Sequence, residues 1–177
     1  MKTFKDLRNS LRLARTEIEQ KMPIIVKDFA ASAKALSERR IRSEGFGFDY
    51  STKEAPAYFF LDNVLNQAGE NEVRKRSKKK EGLTWGALRQ VQGLNSAFVD
   101  LSYSNEMWRG MVVIKNEQTG TIFYALLGHT NTAGQEKMNW NYERFGNFIL
   151  KGLNESDKKF LASISVDYMM EIVKKYI

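Results

Sequence analysis

The chain has 177 residues, of which 42% are hydrophobic, and it carries a formal net charge of +7. This length and apolar content fit one domain with a core large enough to fold unaided. The sequence holds no cysteine, which excludes disulfide bonds, thiolate metal sites and cysteine nucleophiles. No apolar run long enough for a signal peptide or a membrane span follows Met1, so we expect a soluble product made in the cytoplasm.

An amphipathic pattern begins at Phe4, where apolar residues recur at steps of three or four as far as Leu36. This spacing predicts a long helix, capped by Thr3 and by Asp6 in its first turn. Pro23 has no amide hydrogen and clashes with the carbonyl group four residues earlier, so we predict two helices or one kinked helix. A continuous helix would be about 55 Å long at about 1.5 Å per residue. That exceeds the diameter of a small domain, so part of it should pack against another chain.

Gly45 and Gly47 end the helical region. In the segment that follows, residues 48–83, apolar residues do not recur at a regular spacing. Residues 57–64 could form a short helix, whereas residues 66–82 are polar and charged. A long irregular segment in a compact domain is usually functional or disordered. We therefore predict an extended, mobile arm that becomes ordered on binding.

The arm carries a block of six cations. They are Arg74, Lys75, Arg76, Lys78, Lys79 and Lys80. The block supplies six of the seven net positive charges, which leaves the rest of the chain at +1 and places the basicity in one predicted loop. Adjacent cations neutralise phosphates and release counterions, so DNA or an acidic protein is the expected partner if the block binds. A solvated loop is the other reading of such charge runs.

Shorter elements are predicted after the arm. Thr84 predicts the start of a short helix that Gly93 ends. Residues 111–115 and 121–127 are apolar, and together with the loop of residues 116–120 they predict a β-hairpin.

Two helices are predicted after the hairpin, one over residues 133–145 and one that begins at Asn154. Acidic residues in the first turn of the last helix and basic residues in its last turn complement the helix dipole. Its predicted buried stripe consists of Phe160, Ile164, Tyr168, Ile172 and Val173. The element order predicts an α+β fold with a long N-terminal helix, a small antiparallel sheet with a hairpin, a C-terminal helix and an extended irregular arm. We predict a single domain, residues 1–177, with residues 48–83 as the extended basic arm.

His129 is the only histidine of the sequence and follows the second predicted strand, where enzymes often place a base. A triad would also need a nucleophile, and the chain has no Gly-x-Ser-x-Gly elbow. It has no Cys or His pair and no Asp-x-Asp-x-Asp-Gly loop for a metal, and Gly45-Phe-Gly47 is not a dinucleotide fingerprint. We predict a hydrogen-bonded loop histidine, a protein that is not an enzyme, and no cofactor.

Several large apolar side chains either fill the core or join subunits, since aromatic residues are enriched at interfaces. One cluster consists of Trp140, Tyr142, Phe145, Phe148 and Ile149. Trp108 has the same two predicted roles.

The joint between the arm and the hairpin, residues 93–108, reads Gly-Leu-Asn-Ser-Ala-Phe-Val-Asp-Leu-Ser-Tyr-Ser-Asn-Glu-Met-Trp. It resembles the Leu-x-x-Ser/Thr-Gly-x-Leu/Met centre of the tail-completion and head-to-tail connector proteins of long-tailed phages, the phage virion morphogenesis family. Three further segments follow that family's order. They are Arg40-Ile-Arg-Ser-Glu-Gly45 with Tyr50-Ser51 after it, Glu143-Arg-Phe-Gly-Asn-Phe-Ile149, and Gly152-Leu-Asn-Glu-Ser-Asp157. The chain departs from the pattern at Asn105, where many relatives have glycine, and in its basic arm.

The resemblance implies a tail terminator-like structural protein of the virion, assembled in the host cytoplasm. Its subunits would form a ring, commonly a hexamer, at the neck or tail end, with DNA passing through. The implied partners are copies of itself, neighbouring head, neck or tail proteins, and packaged DNA, without a membrane. The predicted contact residues are Tyr58, Phe59, Phe60, Arg74, Lys75, Arg76, Lys78, Lys79, Lys80 and Trp108. The alternative function is a nucleic-acid-binding module that uses residues 74–80.

Overall fold

The computed structural model describes residues 3–50, 52, 54, 65–101 and 106–177. Four helices come first in chain order: α1 (Phe4–Glu44), α2 (Gln67–Lys79), α3 (Trp85–Val91) and α4 (Glu106–Gly110). The strands β1 (Met111–Thr119) and β2 (Ile122–His129) are followed by α5 (Thr132–Phe145), α6 (Phe148–Lys151) and α7 (Glu155–Tyr176). The long first helix, the antiparallel hairpin and the C-terminal helix confirm the predicted α+β class.

The chain forms two compact units. The first unit comprises the described residues of Met1–Glu38 and Arg109–Ile177, and the second unit comprises those of Arg39–Trp108. The single-domain assignment of residues 1–177 stays a prediction. No helix in the described ranges combines the length and the apolar character needed to cross a membrane. The short helix predicted over residues 57–64 lies outside the described residues.

Helix α1 is continuous over 41 residues, which corresponds to about 60 Å. Its start is the predicted capping box: the Asp6 amide donates to Thr3 Oγ1 at 3.2 Å, and the Thr3 amide donates to Asp6 Oδ2 at 2.9 Å. Pro23 lies inside the helix, so the alternative of two separate helices is wrong. Ala14 and Ile25 are buried on either side of the proline. Packing of this face on both sides offsets the hydrogen bond that proline removes.

The core of the first unit forms where α7 packs along α1. Ala33 clusters with Leu153 and Leu161 near the start of α7. At the other end of α7, Lys175 Nζ donates to Glu17 Oε2 at 2.8 Å. Leu161 therefore lies beside Ala33 and Lys175 beside Glu17, so the two helices are antiparallel.

Helix α7 buries a different stripe from the predicted one. Leu161 and Ile172 are buried, whereas Phe160, Ile164 and Tyr168 are exposed. Ile172 is thus the one member of the predicted stripe that is fully buried, and the prediction was wrong for the three exposed residues. Because α7 carries apolar residues around most of its circumference, periodicity alone did not identify the face that packs on α1.

In the described residues, β1 and β2 form a two-stranded antiparallel sheet in which Met111 pairs with His129 and Thr119 with Ile122. The turn is Gly120-Thr121, and Gly120 has a positive φ of 60°. The predicted loop of residues 116–120 was too long, since β1 continues to Thr119. Polar side chains at an exposed strand do not prevent backbone pairing, which explains the error.

The core of the second unit joins α2 to α3. Val73, Leu83 and Leu88 form a buried cluster. Gly69 lies so close to the neighbouring Gln92 that a Cβ atom there would come within 2.9 Å of that side chain. The segment predicted to be irregular therefore contains α2, a helix of 13 residues, and that part of the arm prediction was wrong. The sequence of α2 is too polar to show an apolar period, since Gly69 and Val73 are its buried residues.

Candidate interaction surfaces

Five of the six cations of the basic block lie on helix α2 and not in a loop, and the sixth, Lys80, is the C-cap of that helix. Asn66 caps the helix, since its side-chain oxygen accepts the Gly69 amide hydrogen bond at 3.0 Å. The Asn66 side chain also donates to the Gln92 carbonyl oxygen at 3.0 Å, which ties the start of α2 to the residue after α3. Buried Val73 turns one side of the helix toward the core. The opposite side is consequently held in a fixed orientation toward solvent.

Four exposed cations share that solvent side, which we call the α2 basic face. Its residues are Arg74, Lys75, Lys78 and Lys79. Lys75, Lys78 and Lys79 follow Arg74 by one, four and five residues, so the four cations lie on one side of the helix over two neighbouring turns. The Lys75 ammonium lies 3.8 Å from the Glu72 carboxylate, a long ion pair in which the Lys75 side chain is exposed. The face therefore presents concentrated positive charge to a polyanion.

Arg76 and Lys80 have structural positions. Arg76 Nε donates to Glu72 Oε1 at 2.7 Å, and its Nη1 donates to the Gly82 carbonyl oxygen at 3.1 Å. The hydrogen bond from Arg76 lowers the pKa of Glu72, and the same bond raises the pKa of Arg76. Lys80 ends the helix in the left-handed conformation, with a φ of 56°. Arg76 thus closes the turn after α2, and its charge is partly neutralised there.

The hairpin exposes an apolar surface, which we call the outer hairpin face. Its residues are Val112, Ile114, Ile122, Tyr124 and Leu126. Ile122 and Leu126 keep 67% and 51% of their surface exposed. Successive residues of a strand point to opposite faces, so Ile122, Tyr124 and Leu126 share one side of β2. Ile114 covers Gly128 on this side, since a Cβ at Gly128 would lie 2.4 Å from its Cδ1 atom.

Exposed apolar residues also occur on the helices of the first unit. Near the start of α1, Phe4, Leu7 and Leu11 are exposed, as are Phe160, Ile164 and Tyr168 on α7. In the predicted aromatic cluster, Phe145 and Phe148 are buried, as the core role requires, whereas Trp140 and Tyr142 are exposed. The first unit therefore carries more large apolar side chains on its surface than isolated exposed residues account for.

A buried polar network lies in the second unit. Arg89 Nη2 donates to both carboxylate oxygens of Asp100, at 3.0 and 2.8 Å, and Arg89 Nε donates to the Asn95 carbonyl oxygen at 2.6 Å. Tyr50 donates its hydroxyl hydrogen to Asp100 Oδ1 at 2.9 Å, and burial raises the pKa of Tyr50 well above its ordinary value. Sequence reasoning missed this network, although an acid inside the apolar Phe98-Val-Asp-Leu101 run was a signal that it needed a buried partner. The network fixes the loop after α3.

His129 is hydrogen-bonded, as predicted, although it is the last residue of β2 and not part of a loop. Its Nδ1 accepts the Asn131 amide hydrogen bond at 3.0 Å. The ring lies between two glycines, because a Cβ at Gly110 or Gly134 would come within about 2 Å of ring atoms. The imidazole therefore fills the space between the start of β1 and the first turn of α5. In the ranges that the structure describes, no three His, Asp or Glu side chains are grouped to hold a metal ion.

Other predicted contact residues have different positions. Tyr58, Phe59 and Phe60 lie outside the described residues. Trp108 is 0% exposed, which favours the core role over the interface role. Comparison of the chain with protein-family models, curated proteins and solved structures gives no match. A function for this chain has to be inferred from its own surfaces and motifs.

Proposed function

We propose that this chain is a structural subunit of the head-tail junction or tail end of a long-tailed phage. It associates with copies of itself in a ring, commonly a hexamer in proteins of this kind, around the DNA channel. The phage assignment is supported by the resemblance of residues 93–108 and 152–157 to the phage virion morphogenesis family. The observation that carries self-association is the outer hairpin face.

Strand β2 is apolar on both sides, although Lys115, Glu117 and Thr119 of β1 lie opposite its outward residues. Phe123 and Leu127 are half-buried on the inner side, while Ile122, Tyr124 and Leu126 point outward. A two-stranded sheet is marginally stable in water unless other elements cover it. Packing of the outer side against a neighbouring subunit supplies that cover and removes the apolar surface from water.

The magnitude of this contact indicates that one hairpin is not enough. Burying a large apolar side chain completely contributes about 1.5–3 kcal/mol. Because Ile122, Tyr124 and Leu126 are already about half buried, covering the rest of their surface contributes about 2–4 kcal/mol in total. An apolar surface of similar size on the neighbour roughly doubles it. Association costs an estimated 4–15 kcal/mol in lost translational and rotational freedom. A stable ring therefore needs a further contact between subunits.

Light scattering during size-exclusion chromatography, and electron microscopy of assembled particles, test this proposal. A double substitution, Ile122→Thr with Leu126→Thr, should weaken self-association and particle incorporation while circular dichroism stays unchanged. Val91→Thr is the matched control, because Val91 is an exposed apolar residue of α3 and not part of the hairpin. A chain that stays monomeric at all concentrations and is missing from particles would contradict the proposal.

The α2 basic face favours a second candidate function, nucleic-acid binding. Four exposed cations on one helix side suit the regular charge of a phosphate backbone. Replacing Arg74, Lys75, Lys78 and Lys79 with glutamine should abolish salt-dependent DNA binding in a fluorescence anisotropy titration. The matched control neutralises Lys5, Lys27, Lys159 and Lys174, which are exposed outside α2. Equal loss of binding in both variants, or no binding by the unmodified chain, would exclude a specific role for α2.

A further inference from the structure

The first unit carries two exposed apolar stripes that differ in charge. One lies at the start of α1, residues 4–15, which we call the α1 end. The other lies on α7, residues 160–171, which we call the α7 face. We propose that the α1 end of one copy binds the α7 face of a second copy. This inference rests on the proposed self-association and names the contact that the ring needs besides the hairpin.

The α1 end continues a stripe that is already an interface within the chain. Ala14 and Ile25 belong to that stripe and are buried. Toward the N-terminus the same stripe includes Phe4, Leu7 and Leu11, which are exposed, Phe4 by 92%. The stripe therefore changes from covered to uncovered near Ala14.

The uncovered part begins where α7 ends. Lys175 Nζ and the Tyr176 hydroxyl donate to Glu17 Oε2, at 2.8 and 2.5 Å. These bonds place the last turn of α7 beside Glu17. The α1 stripe continues beyond this last turn toward the N-terminus. Among the described residues, Phe4, Leu7 and Leu11 in that part of the stripe remain exposed.

The α7 face supplies a surface of similar length. Phe160, Ile164 and Tyr168 recur every four residues and are exposed. They span about 12 Å of helix, and Phe4 to Leu11 span about 10 Å, at about 1.5 Å per residue. Two helices pack by fitting the side chains of one between those of the other, so stripes of matching length form a continuous contact.

The charges beside the two stripes are complementary. The α1 end carries Lys5, Arg8, Arg12 and Arg15, all exposed. Arg15 Nε donates to Glu19 Oε1 at 2.8 Å, so the other three supply most of the basic charge. Its one acid, Asp6, accepts hydrogen bonds from Thr3 in the capping box. The α7 face carries Asp167 and Glu171, both exposed, and the sequence has no Lys or Arg between Phe160 and Val173. A basic apolar stripe thus faces an acidic apolar stripe.

These charges favour a contact between the α1 end of one copy and the α7 face of another over a contact between two identical surfaces. Two α7 faces packed on each other would bring carboxylates together, and two α1 ends would bring guanidinium groups together. Like charges across an interface oppose association, whereas opposite charges favour it and fix the register. The favoured contact joins different surfaces of two copies, and such a head-to-tail contact produces a ring when the rotation closes.

Charge reversal tests the contact. Arg8→Glu with Arg12→Glu, and separately Asp167→Lys with Glu171→Lys, should each weaken self-association about tenfold or more in analytical ultracentrifugation. A chain that carries all four changes restores opposite charges across the contact and should recover most of the affinity. Lys27→Glu with Lys79→Glu is the matched control, since both lysines are exposed outside the two stripes. Circular dichroism and thermal unfolding of each variant verify that it is folded.

Site-specific cross-linking gives a second measurement, because the chain has no cysteine of its own. Chains with Leu11→Cys, mixed with chains with Ile164→Cys, should form a disulfide-linked dimer under mild oxidation. Each variant alone should give little cross-linking. Efficient cross-linking of either variant with itself, and none in the mixture, would overturn the head-to-tail contact.

The outcomes separate this inference from the proposed function. If the charge variants and the mixed cysteine chains behave like the unmodified protein while the hairpin variant loses association, the α1–α7 contact is wrong and self-association stands. If the unmodified chain is monomeric at all concentrations and missing from particles, both are wrong.

Discussion

Trp108 is the largest side chain that is fully withdrawn from solvent, with 0% of its surface exposed. Replacing it with alanine should destabilise the chain by about 3–5 kcal/mol, because a large cavity forms in a packed region. Urea denaturation of the purified chain measures this loss. Trp140→Ala is the matched control, since Trp140 is 64% exposed and its removal leaves no cavity. Equal stability of the two variants would contradict the core role of Trp108.

Asp100 carries the buried charge of the network with Arg89 and Tyr50. Asp100→Ala should cost about 3–5 kcal/mol, since it leaves the Arg89 guanidinium buried without its carboxylate. Tyr50→Phe should cost less, about 1–3 kcal/mol, because Arg89 still satisfies the carboxylate. The same denaturation experiment ranks the two variants. A larger loss of stability for Tyr50→Phe than for Asp100→Ala would mean that the Tyr50 hydroxyl, and not the Arg89–Asp100 ion pair, fixes the loop after α3.

Tyr50 adds a dependence on alkaline pH. Burial raises its pKa above the ordinary value of 10.0, so the folded state binds the phenolic proton more tightly than the unfolded state. Its contribution to stability is fully present below pH 10 and declines as the pH rises above that value. Unfolding free energies measured across this range should fall more steeply for the unmodified chain than for Tyr50→Phe. Parallel curves would exclude this linkage.

At the scale of elements, the C-terminal end of α7 is fastened to α1 through Glu17. Hydrogen bonds from Lys175, and then from Tyr176, lower the pKa of Glu17 below its ordinary value of 4.5. A carboxylate with a lowered pKa stabilises the folded state above its unfolded pKa, and this contribution is lost as the pH falls through the folded value. The last turn of α7 should therefore loosen at acidic pH.

Amide hydrogen exchange of the last α7 turn measures that loosening. Protection should fall as the pH drops below about 4.5, after correction for the intrinsic exchange rate. The Glu17→Gln variant should show reduced protection already at neutral pH and a weaker response to acid. The same pH response in Glu17→Gln and in the unmodified chain would assign the effect to another carboxylate.

At the scale of the whole molecule, the two proposed interactions differ in their response to salt. Four phosphate contacts by the α2 basic face give a slope of about −3 to −4 in log affinity against log salt concentration. Self-association combines the outer hairpin face, which salt does not screen, with the α1–α7 contact, which it does. DNA binding should therefore weaken much more steeply with salt than self-association. Equal slopes would indicate that one charged surface mediates both DNA binding and self-association.

The sequence by itself determined the local structure wherever a few neighbouring residues decide it. Thr3 with Asp6 determined the start of α1, Gly120 the hairpin turn, and Asn154 the start of α7. These features depend on hydrogen bonds or backbone angles within about one helical turn. The α+β class followed from the order of such elements.

The tertiary structure decided which faces are covered and which distant residues meet. It placed the basic block on a helix, because Gly69 and Val73 pack on α3 and its neighbours. It joined Arg89 to Asp100, and it left Phe160 exposed on a helix that is apolar around most of its circumference. Periodicity reports that a helix has apolar residues but not what lies against them. The α1 end and the α7 face were therefore visible only once the packing of α7 on α1 was known.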